Sequence, residues 1–130
     1  MQKRIKAIKT TIDGITFDSK TESKFYVYLK ELKKAKRIKD FKLQPKFTLI
    51  PKFKNCGKVY LPMTYTLDFL VVLLDDSEEY IDVKGSFVSD RTVVKAKLLR
   101  SQHEDMRVRF LKPYKGSWFD IESKSIWIQI

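Results

Sequence analysis

A continuous apolar run with one carboxylate inside it constrains this chain more than any other feature. The run extends from Leu67 to Leu74, and Asp68 is its only charged residue. A second strand-like run, Tyr80 to Gly85, follows and carries Asp82 and Lys84. Burying an unpaired carboxylate costs several kcal/mol or more. Two such acids in neighbouring strands therefore indicate that a cation or a reaction uses their charges.

Size and composition predict a single domain that spans residues 1–130, with residues 1–17 as a basic arm or ribbon and residues 113–130 as a C-terminal extension. No apolar run approaches the roughly 20 residues that cross a bilayer, and the basic N-terminus lacks the apolar stretch of a signal peptide. The lone Cys56 fits a reducing compartment, and the single His103 argues against a histidine-based zinc site. We therefore expect a cytoplasmic protein with no membrane partner.

Positive charge is concentrated in the first half of the chain. The formal net charge is +11, but residues 1–60 hold 17 Lys and Arg against 5 Asp and Glu, whereas residues 61–130 hold 10 against 11. Such asymmetry predicts a polyanionic partner, most often nucleic acid. A lysine-rich solvated surface without such a partner is the alternative.

Hydrophobic periodicity predicts two helices and several strands. One helix should begin at Ser19 and end near residues 36–37, and the other should extend from Asp90 to His103. The predicted strands are residues 41–50, 59–74, 80–84 and 106–111. The first is broken at Gln44-Pro45, and Pro113 should end the last. A ribbon should turn at Asp13-Gly14, and the apolar tail, 126–130, should form a last strand or an interface.

The order of these elements predicts the topology. Strand 80–84, helix 90–103 and strand 106–111 form a βαβ unit, whose two strands should be parallel. The preceding strands are joined by short turns and should be antiparallel. The predicted fold class is α/β with a mixed central sheet.

Strand geometry predicts where the charged groups lie. Asp82 and Lys84 are two residues apart and should face the same side of the sheet. A hairpin loop of odd length, such as residues 75–77, would put Asp68 opposite Lys84, whereas an even loop would require a bulge. Two carboxylates and a lysine on one face suit Mg²⁺ or Mn²⁺. A structural ion pair between Lys84 and either acid is the alternative.

The constellation resembles the PD-(D/E)XK nuclease superfamily. The residues that carry the resemblance are Leu67-Asp68, Asp82-Val83-Lys84 and Glu22 on the first helix. Gln44-Pro45 is similar to a strand motif of transposon-end endonucleases and very-short-patch-type nucleases. The pattern FDSKTESKFY…LQPKF…YTLDF…DVKG is similar to small phage-encoded members, over about residues 15–112. Leu67 stands where the family usually has proline, and Asp82 where glutamate is commoner.

The resemblance implies a restriction-endonuclease-like αβββαβ core and Mg²⁺-dependent DNA cleavage. Asp68 and Asp82 would bind the metal with the backbone carbonyl of Val83, and Lys84 would orient or activate the hydrolytic water. Glu22 would assist through the metal or the water. The spacing of Ser19 and Glu22 also matches a capping box, in which Glu22 bonds back to the Ser19 amide and does nothing else.

The resemblance favours a structure-specific enzyme, similar to Holliday-junction resolvases of phage recombination or replication, that acts as a homodimer in a bacterial host cell. A nicking or mismatch-directed nuclease is the close competitor. A non-catalytic DNA-binding or replication-accessory protein on the same fold is the alternative function. The predicted DNA contacts are Lys20, Lys24, Gln44, Lys46, Lys52, Arg91 and Lys95. For Tyr60, Tyr65 and Trp118, base stacking and ordinary burial both stay open.

Overall fold

The computed structural model describes residues 8–85 and 87–128. Residues 1–7 of the predicted arm and residues 129–130 of the predicted tail lie outside these ranges. In chain order the elements are β1 (Thr10–Ile12), β2 (Ile15–Phe17), α1 (Lys20–Lys34), β3 (Asp40–Leu43), β4 (Lys46–Ile50), β5 (Phe53–Asn55), β6 (Lys58–Tyr60), β7 (Met63–Thr66), β8 (Phe69–Val72), β9 (Glu78–Val83), α2 (Asp90–Gln102), β10 (Arg107–Tyr114), β11 (Ser117–Asp120) and β12 (Ser125–Ile126).

A mixed six-stranded sheet forms the centre of the fold, in the order β12-β11-β10-β9-β8-β3. β9 and β10 are parallel and are connected through α2, which confirms the predicted βαβ unit. β3 pairs antiparallel with β8, and β8 pairs antiparallel with β9. The predicted α/β class and the mixed sheet are therefore confirmed.

The two helices cover opposite faces of this sheet. α1 buries Phe25 and Leu29 in a core that also contains Leu111, whereas α2 buries Leu99 in a second core with Phe110. Because successive strand residues point to opposite faces, β10 contributes Leu111 to the first core and Val108 and Phe110 to the second. The result is three layers, with the ends of the central strands open between the helices.

Both helices begin where the sequence predicts, because each has a serine that caps its N-terminus. Ser19 Oγ accepts from the Glu22 N–H at 3.0 Å, and Ser89 caps α2 through the Thr92 N–H. The helices end at Lys34 and Gln102, within three residues of the predicted ends. Within the described ranges no helix combines the length and hydropathy needed to cross a membrane.

Between β3 and β8 the chain leaves the sheet as a long hairpin, residues 44–67, which we call the arm. β4 pairs with β7 near its base, and β5 pairs with β6 at its tip. Pro51 and Pro62 lie in the breaks between these two ladders, where a missing N–H costs no strand pairing. The predicted single strand over residues 59–74 is therefore wrong: it is divided into β6, β7 and β8.

Pro113 does not end β10, contrary to the sequence prediction. The strand continues to Tyr114, and Pro113 pairs with Trp118 of β11. Pairing with β9 already stops at Leu111 and Val83, so Pro113 has no donor bond to lose on that side. Of the described part of the predicted tail, residues 126–128, only Ile126 lies in a strand, β12. Trp118 and Trp127 are buried in the core beneath α1.

Candidate active site

Asp82 is a buried carboxylate near the end of β9, with only 4% of the residue exposed. The Tyr65 hydroxyl donates to Asp82 Oδ2 at 2.7 Å, and Lys84 Nζ lies 3.4 Å from the same oxygen. Burial, followed by the charge of Asp82, raises the pKa of Tyr65 far above its usual range. Tyr65 therefore stays protonated and holds the Asp82 carboxylate in place.

Asp68 lies at the bend that precedes β8, and its backbone is hydrogen-bonded on both sides. Its N–H donates to the Ile81 carbonyl at 3.1 Å, and its own carbonyl accepts from the Gln44 N–H at 2.9 Å. Its carboxylate oxygen Oδ2 accepts from the Val83 N–H at 2.7 Å. The side chain of Asp68 is thus fixed against the end of β9, beside Asp82.

The register of the β8–β9 hairpin differs from the predicted one. Residues 73–77 connect the two strands, so the predicted odd length is confirmed. However, the ladder closes with Leu73 N–H bonded to the Ser77 carbonyl, and Phe69 pairs with Ile81. Asp68 therefore lies beside Asp82, and the predicted position opposite Lys84 is wrong by two residues.

The acids at this point repel one another. Burial, the hydrogen bond with the Glu22 carboxyl and the charge of Asp82 together raise the pKa of Asp68 to about 10. The Val83 N–H acts in the opposite direction but is outweighed. The protein alone therefore holds Asp68 as a neutral acid at pH 7, and a charge on Asp68 requires a further cation.

Glu22 both caps α1 and approaches Asp68. Its N–H donates to Ser19 Oγ, and its Oε2 accepts from the Asp18 N–H at 3.2 Å. The predicted return bond to the Ser19 amide is therefore wrong by one residue, although the capping arrangement is present. Glu22 is 8% exposed, and its carboxyl also raises the pKa of Asp68. Capping and a place at the site are thus compatible.

Two cavities meet at Asp68. The smaller, of about 140 Å³, lies against α1 and is lined by Glu22, Gln44, Ile15, Thr16, Phe17, Leu43 and Asp68. The larger is an open cleft of about 430 Å³ against α2, and its lining residues are Thr64, Tyr65, Thr66, Asp68, Asp82, Lys84, Arg91, Thr92 and Lys95. Asp68 and Asp82 therefore face one cleft, while Glu22 reaches Asp68 from the other cavity.

Gln44 reaches the smaller cavity through an unusual backbone conformation. Its φ is +51°, in the left-handed region that residues other than glycine seldom adopt. Such strain persists only where the surrounding structure imposes it, and it is concentrated at functional sites. In this conformation the Gln44 N–H bonds the Asp68 carbonyl. The structure therefore brings this predicted DNA contact next to Glu22 and Asp68.

The basic residues at the cleft are only partly those expected. Arg91 and Lys95 line it together with Lys84, and Lys95 Nζ donates to the Thr64 carbonyl at 3.0 Å. Four of the predicted DNA contacts are lysines from the first half of the chain. Those residues, Lys20, Lys24, Lys46 and Lys52, are exposed but line neither cavity.

Sequence reasoning missed the three threonines of the cleft, Thr64, Thr66 and Thr92, and did not place Tyr65 there. Tyr65 is buried, as ordinary packing predicts, yet its hydroxyl is the partner of Asp82. A buried tyrosine hydroxyl needs a partner, and an acid in the neighbouring strand was the available signal. Of the other two aromatics left open, Trp118 is buried and Tyr60 is 40% exposed.

The donor set suits a hard divalent cation. Across residues 8–85 and 87–128, no group of three or more His, Cys, Asp and Glu side chains is arranged to hold a metal ion. Mg²⁺ commonly binds through only one or two carboxylates and keeps several waters. Asp68 and Asp82 supply two carboxylates that face the same cleft. The residues present therefore fit Mg²⁺ or Mn²⁺ with water completing its coordination.

The fold and the site define a mixed α/β protein with buried acids that open onto a cleft with basic residues in its wall. The chain belongs to the family described as Protein of unknown function (DUF1064), whose model matches residues 2–117. The matched span includes Glu22, Asp68, Asp82 and Lys84. No curated protein and no solved structure matches the chain.

Proposed function

We propose that this protein is a Mg²⁺-dependent DNA endonuclease, with Mn²⁺ as a substitute metal. One observation carries the proposal: Asp68 and Asp82 line a single cleft together with Lys84. Arg91 and Lys95 line the same cleft, on the side of α2. Acids in its floor and basic groups in its wall suit a phosphodiester, which needs its negative charge held while water attacks phosphorus.

The order of the elements supports a restriction-endonuclease-like core. Without the arm, the order from α1 is helix, three strands, helix and strand, formed by α1, β3, β8, β9, α2 and β10. Asp68 precedes the second of these strands, and Asp82 and Lys84 lie at the end of the third. This is where the PD-(D/E)XK resemblance expects them. The chain differs from the simple pattern by the arm inserted after β3.

Asp68, Asp82 and the Val83 carbonyl would hold the cation, and Glu22 is a further candidate ligand. When bound, the ion supplies an acidified water and neutralises charge at the phosphate. The raised pKa of Asp68 supports this assignment, because a nearby divalent cation is what would allow the acids to ionise together.

The chain's own groups hold this arrangement in advance. The Val83 N–H fixes Asp68, and the Tyr65 hydroxyl fixes Asp82, so neither acid has to reorganise when DNA binds. Lys84 is a compact charge near the Asp82 carboxylate, where it orients the attacking water or meets the charge that develops on the phosphate. Arg91 and Lys95 hold the DNA backbone at the cleft.

A cleavage panel tests the proposal. Purified protein is incubated with Mg²⁺ and with labelled duplex, single strand, flap, fork and four-way junction. We expect cleavage that EDTA abolishes, with the branched substrates cut fastest by a homodimer, one protomer for each strand. As controls, Asp82→Asn should be inactive, and Asp105→Asn, an exposed acid beyond α2, should cut normally. Binding without cleavage of any substrate, in Mg²⁺ or Mn²⁺, would establish the non-catalytic DNA-binding alternative.

A further inference from the structure

The arm, residues 44–67, carries side-chain charge of one sign only. It carries four lysines, Lys46, Lys52, Lys54 and Lys58, and no Asp or Glu. Three of the four lie in the outer part, residues 51–63, in which every residue is exposed. We call this outer part the tip. A segment with this composition and exposure attracts a polyanion and repels a second copy of itself.

The arm is connected directly to the acids of the cleft. At its base the Gln44 N–H bonds the Asp68 carbonyl at 2.9 Å, and the Leu67 N–H bonds the Pro45 carbonyl at 3.0 Å. Two side chains of α2 hold the inner part: Lys95 bonds the Thr64 carbonyl, and Gln102 bonds the Leu49 carbonyl at 2.6 Å. The tip extends beyond these anchors and is held by its own β5–β6 ladder.

The tip displays a stacked aromatic pair. Phe53 and Tyr60 are direct cross-strand partners, with ring centroids 4.9 Å apart and planes inclined by 5°. They are 46% and 40% exposed, and neither belongs to a described core cluster. Lys58 Nζ lies 5.1 Å from the centre of the Tyr60 ring. The turn that sets this register is Cys56-Gly57, where both residues have positive φ.

We infer that the tip binds nucleic acid by stacking Phe53 and Tyr60 on unpaired bases while its lysines contact the flanking phosphates. The choice of nucleic acid rests on the proposed function, and the inference deepens it by naming a substrate with exposed bases near the bond that is cut. Aromatic stacking serves any base, since every base has a π face. At about 3.3 Å per residue, the twelve steps along the chain from Gln44 to Cys56 extend at most roughly 40 Å. The tip therefore contacts the substrate within roughly 40 Å of the base of the arm, which bonds Asp68.

A second copy of the chain is the competing occupant of the aromatic pair. Charge disfavours it, because two tips in contact would bring six lysines together without a single acid from either arm. Nucleic acid instead supplies both a phosphate for the lysines and a flat surface for the rings.

The experiment measures binding separately from cleavage. Full-length protein in EDTA is titrated by fluorescence anisotropy into a blunt duplex, a single strand and a fork. Phe53→Ala and Tyr60→Ala should weaken binding to the single strand and the fork by about 5- to 100-fold, and binding to the blunt duplex by no more than about twofold. Tyr60→Phe keeps the ring and should bind like wild type. Leu74→Ala changes an exposed apolar residue in the β8–β9 turn and is the surface control.

The lysines have a different expected signature. Lys52→Ala, Lys54→Ala and Lys58→Ala should each weaken binding to every probe and lower the slope of log affinity against log salt by about 0.7–0.9. Lys36→Ala, in the turn after α1, should leave the slope unchanged. Thermal melts confirm folding, which these exposed positions should not disturb.

The outcomes separate this inference from the proposed function. If wild type cuts DNA but both alanine variants bind every probe normally, the tip is not a stacking site and the nuclease stands. If no substrate is cut but Tyr60→Ala loses the fork selectively, the tip is confirmed and the nuclease fails. If the aromatic variants convert a dimer to a monomer in sedimentation and bind DNA normally, the rings bind a second copy and the inference is wrong. Failure of wild type to bind any probe overturns both.

Discussion

Two groups of buried acids lie along β9, and the protein balances them in opposite ways. At the start of the strand, Glu79 accepts from Arg109 Nε at 2.6 Å and from Trp127 Nε1 at 2.8 Å. The same guanidinium donates to Asp120 at 3.1 Å, and Arg107 lies 3.7 Å from Glu79. Every acid in this group has a cation at close range.

At the end of the strand the balance is incomplete. Asp82 has a hydroxyl and one ammonium group at 3.4 Å, while Asp68 has a single backbone N–H and faces two other carboxyls. The first group links β9, β10, β11 and Trp127, which follows β12, whereas the second opens onto a cleft. Burial of an acid is thus not the signal of a functional site. What distinguishes a functional site is whether other groups of the protein balance the charge of the buried acid.

The largest expected effect separates the two groups by activity. Asp82→Asn should reduce Mg²⁺-dependent cleavage by at least about 100-fold, with little change in melting temperature, because Asp82 is proposed to hold the metal. Glu79→Gln should keep its rate of cleavage per folded molecule and lose stability instead. Initial rates and thermal melts of both variants test this. A Glu79→Gln protein that is stable but inactive would remove the distinction between the groups.

Glu22 tests whether one acid can serve both the structure, as a helix cap, and the chemistry of the site. Glu22→Gln keeps the acceptor for the Asp18 N–H but removes the charge beside Asp68, so we expect a large loss of cleavage with little change in melting temperature. Ser19→Ala is the matched control, since it removes the cap and should cost about 1 kcal/mol of stability with normal cleavage. Normal cleavage by Glu22→Gln would reduce Glu22 to a cap.

Local signals made much of the fold predictable. The capping serine gave the start of α1, the Asp13-Gly14 turn gave the β1–β2 ribbon, and the crossover rule gave the parallel pairing of β9 and β10. Each of these depends on a few neighbouring residues or on chain topology. The acids of the cleft were predictable for a related reason, because a carboxylate within an apolar run is visible without knowing its partner.

The rest depended on partners distant in sequence. Glu79 lies just outside the predicted strand 80–84, because nothing near it in sequence indicates Arg109, which lies 30 positions further along and is brought close by parallel pairing. The register of the β8–β9 hairpin is set by the bond from the Leu73 N–H to the Ser77 carbonyl. The Ser77 N–H in turn donates to the Asp75 carboxylate. Because Leu73 and Ser77 close the hairpin, Asp68 lies beside Asp82 and not opposite Lys84. Side-chain partners across strands cannot be read before the register is known.

Loss of a cation beside the acids at the start of β9 should reduce stability more than loss of a cation beside the acids at its end. Arg109→Ala leaves Glu79 and Asp120 buried without their shared guanidinium, and we expect a loss of about 3 kcal/mol, the low end for a broken buried pair because a third of Arg109 is exposed. Lys84→Ala should instead abolish cleavage at nearly normal stability. Urea unfolding of both variants gives the comparison. Equal destabilisation would mean that Lys84 is a structural partner of Asp82, as the ion-pair alternative holds.

Asp68 should also make the stability of the fold depend on pH. The pKa of Asp68 is raised from 3.8 to about 10, so folding favours its protonated form. This contribution is fully present below about pH 4 and is lost progressively as pH rises toward 10. Asp68→Asn removes it, so in EDTA the variant should gain on wild type in urea unfolding from pH 5 to pH 9. Mg²⁺ should reduce the stability difference between Asp68→Asn and wild type, because a bound cation favours the ionised acid.

Asp75→Asn is the control. Ser77 lowers the pKa of Asp75, so the contribution of Asp75 to stability is already complete by pH 5. The stability difference between Asp75→Asn and wild type should therefore stay constant from pH 5 to pH 9. A constant difference for Asp68→Asn as well would mean that its charge is balanced within the protein, as that of Glu79 is.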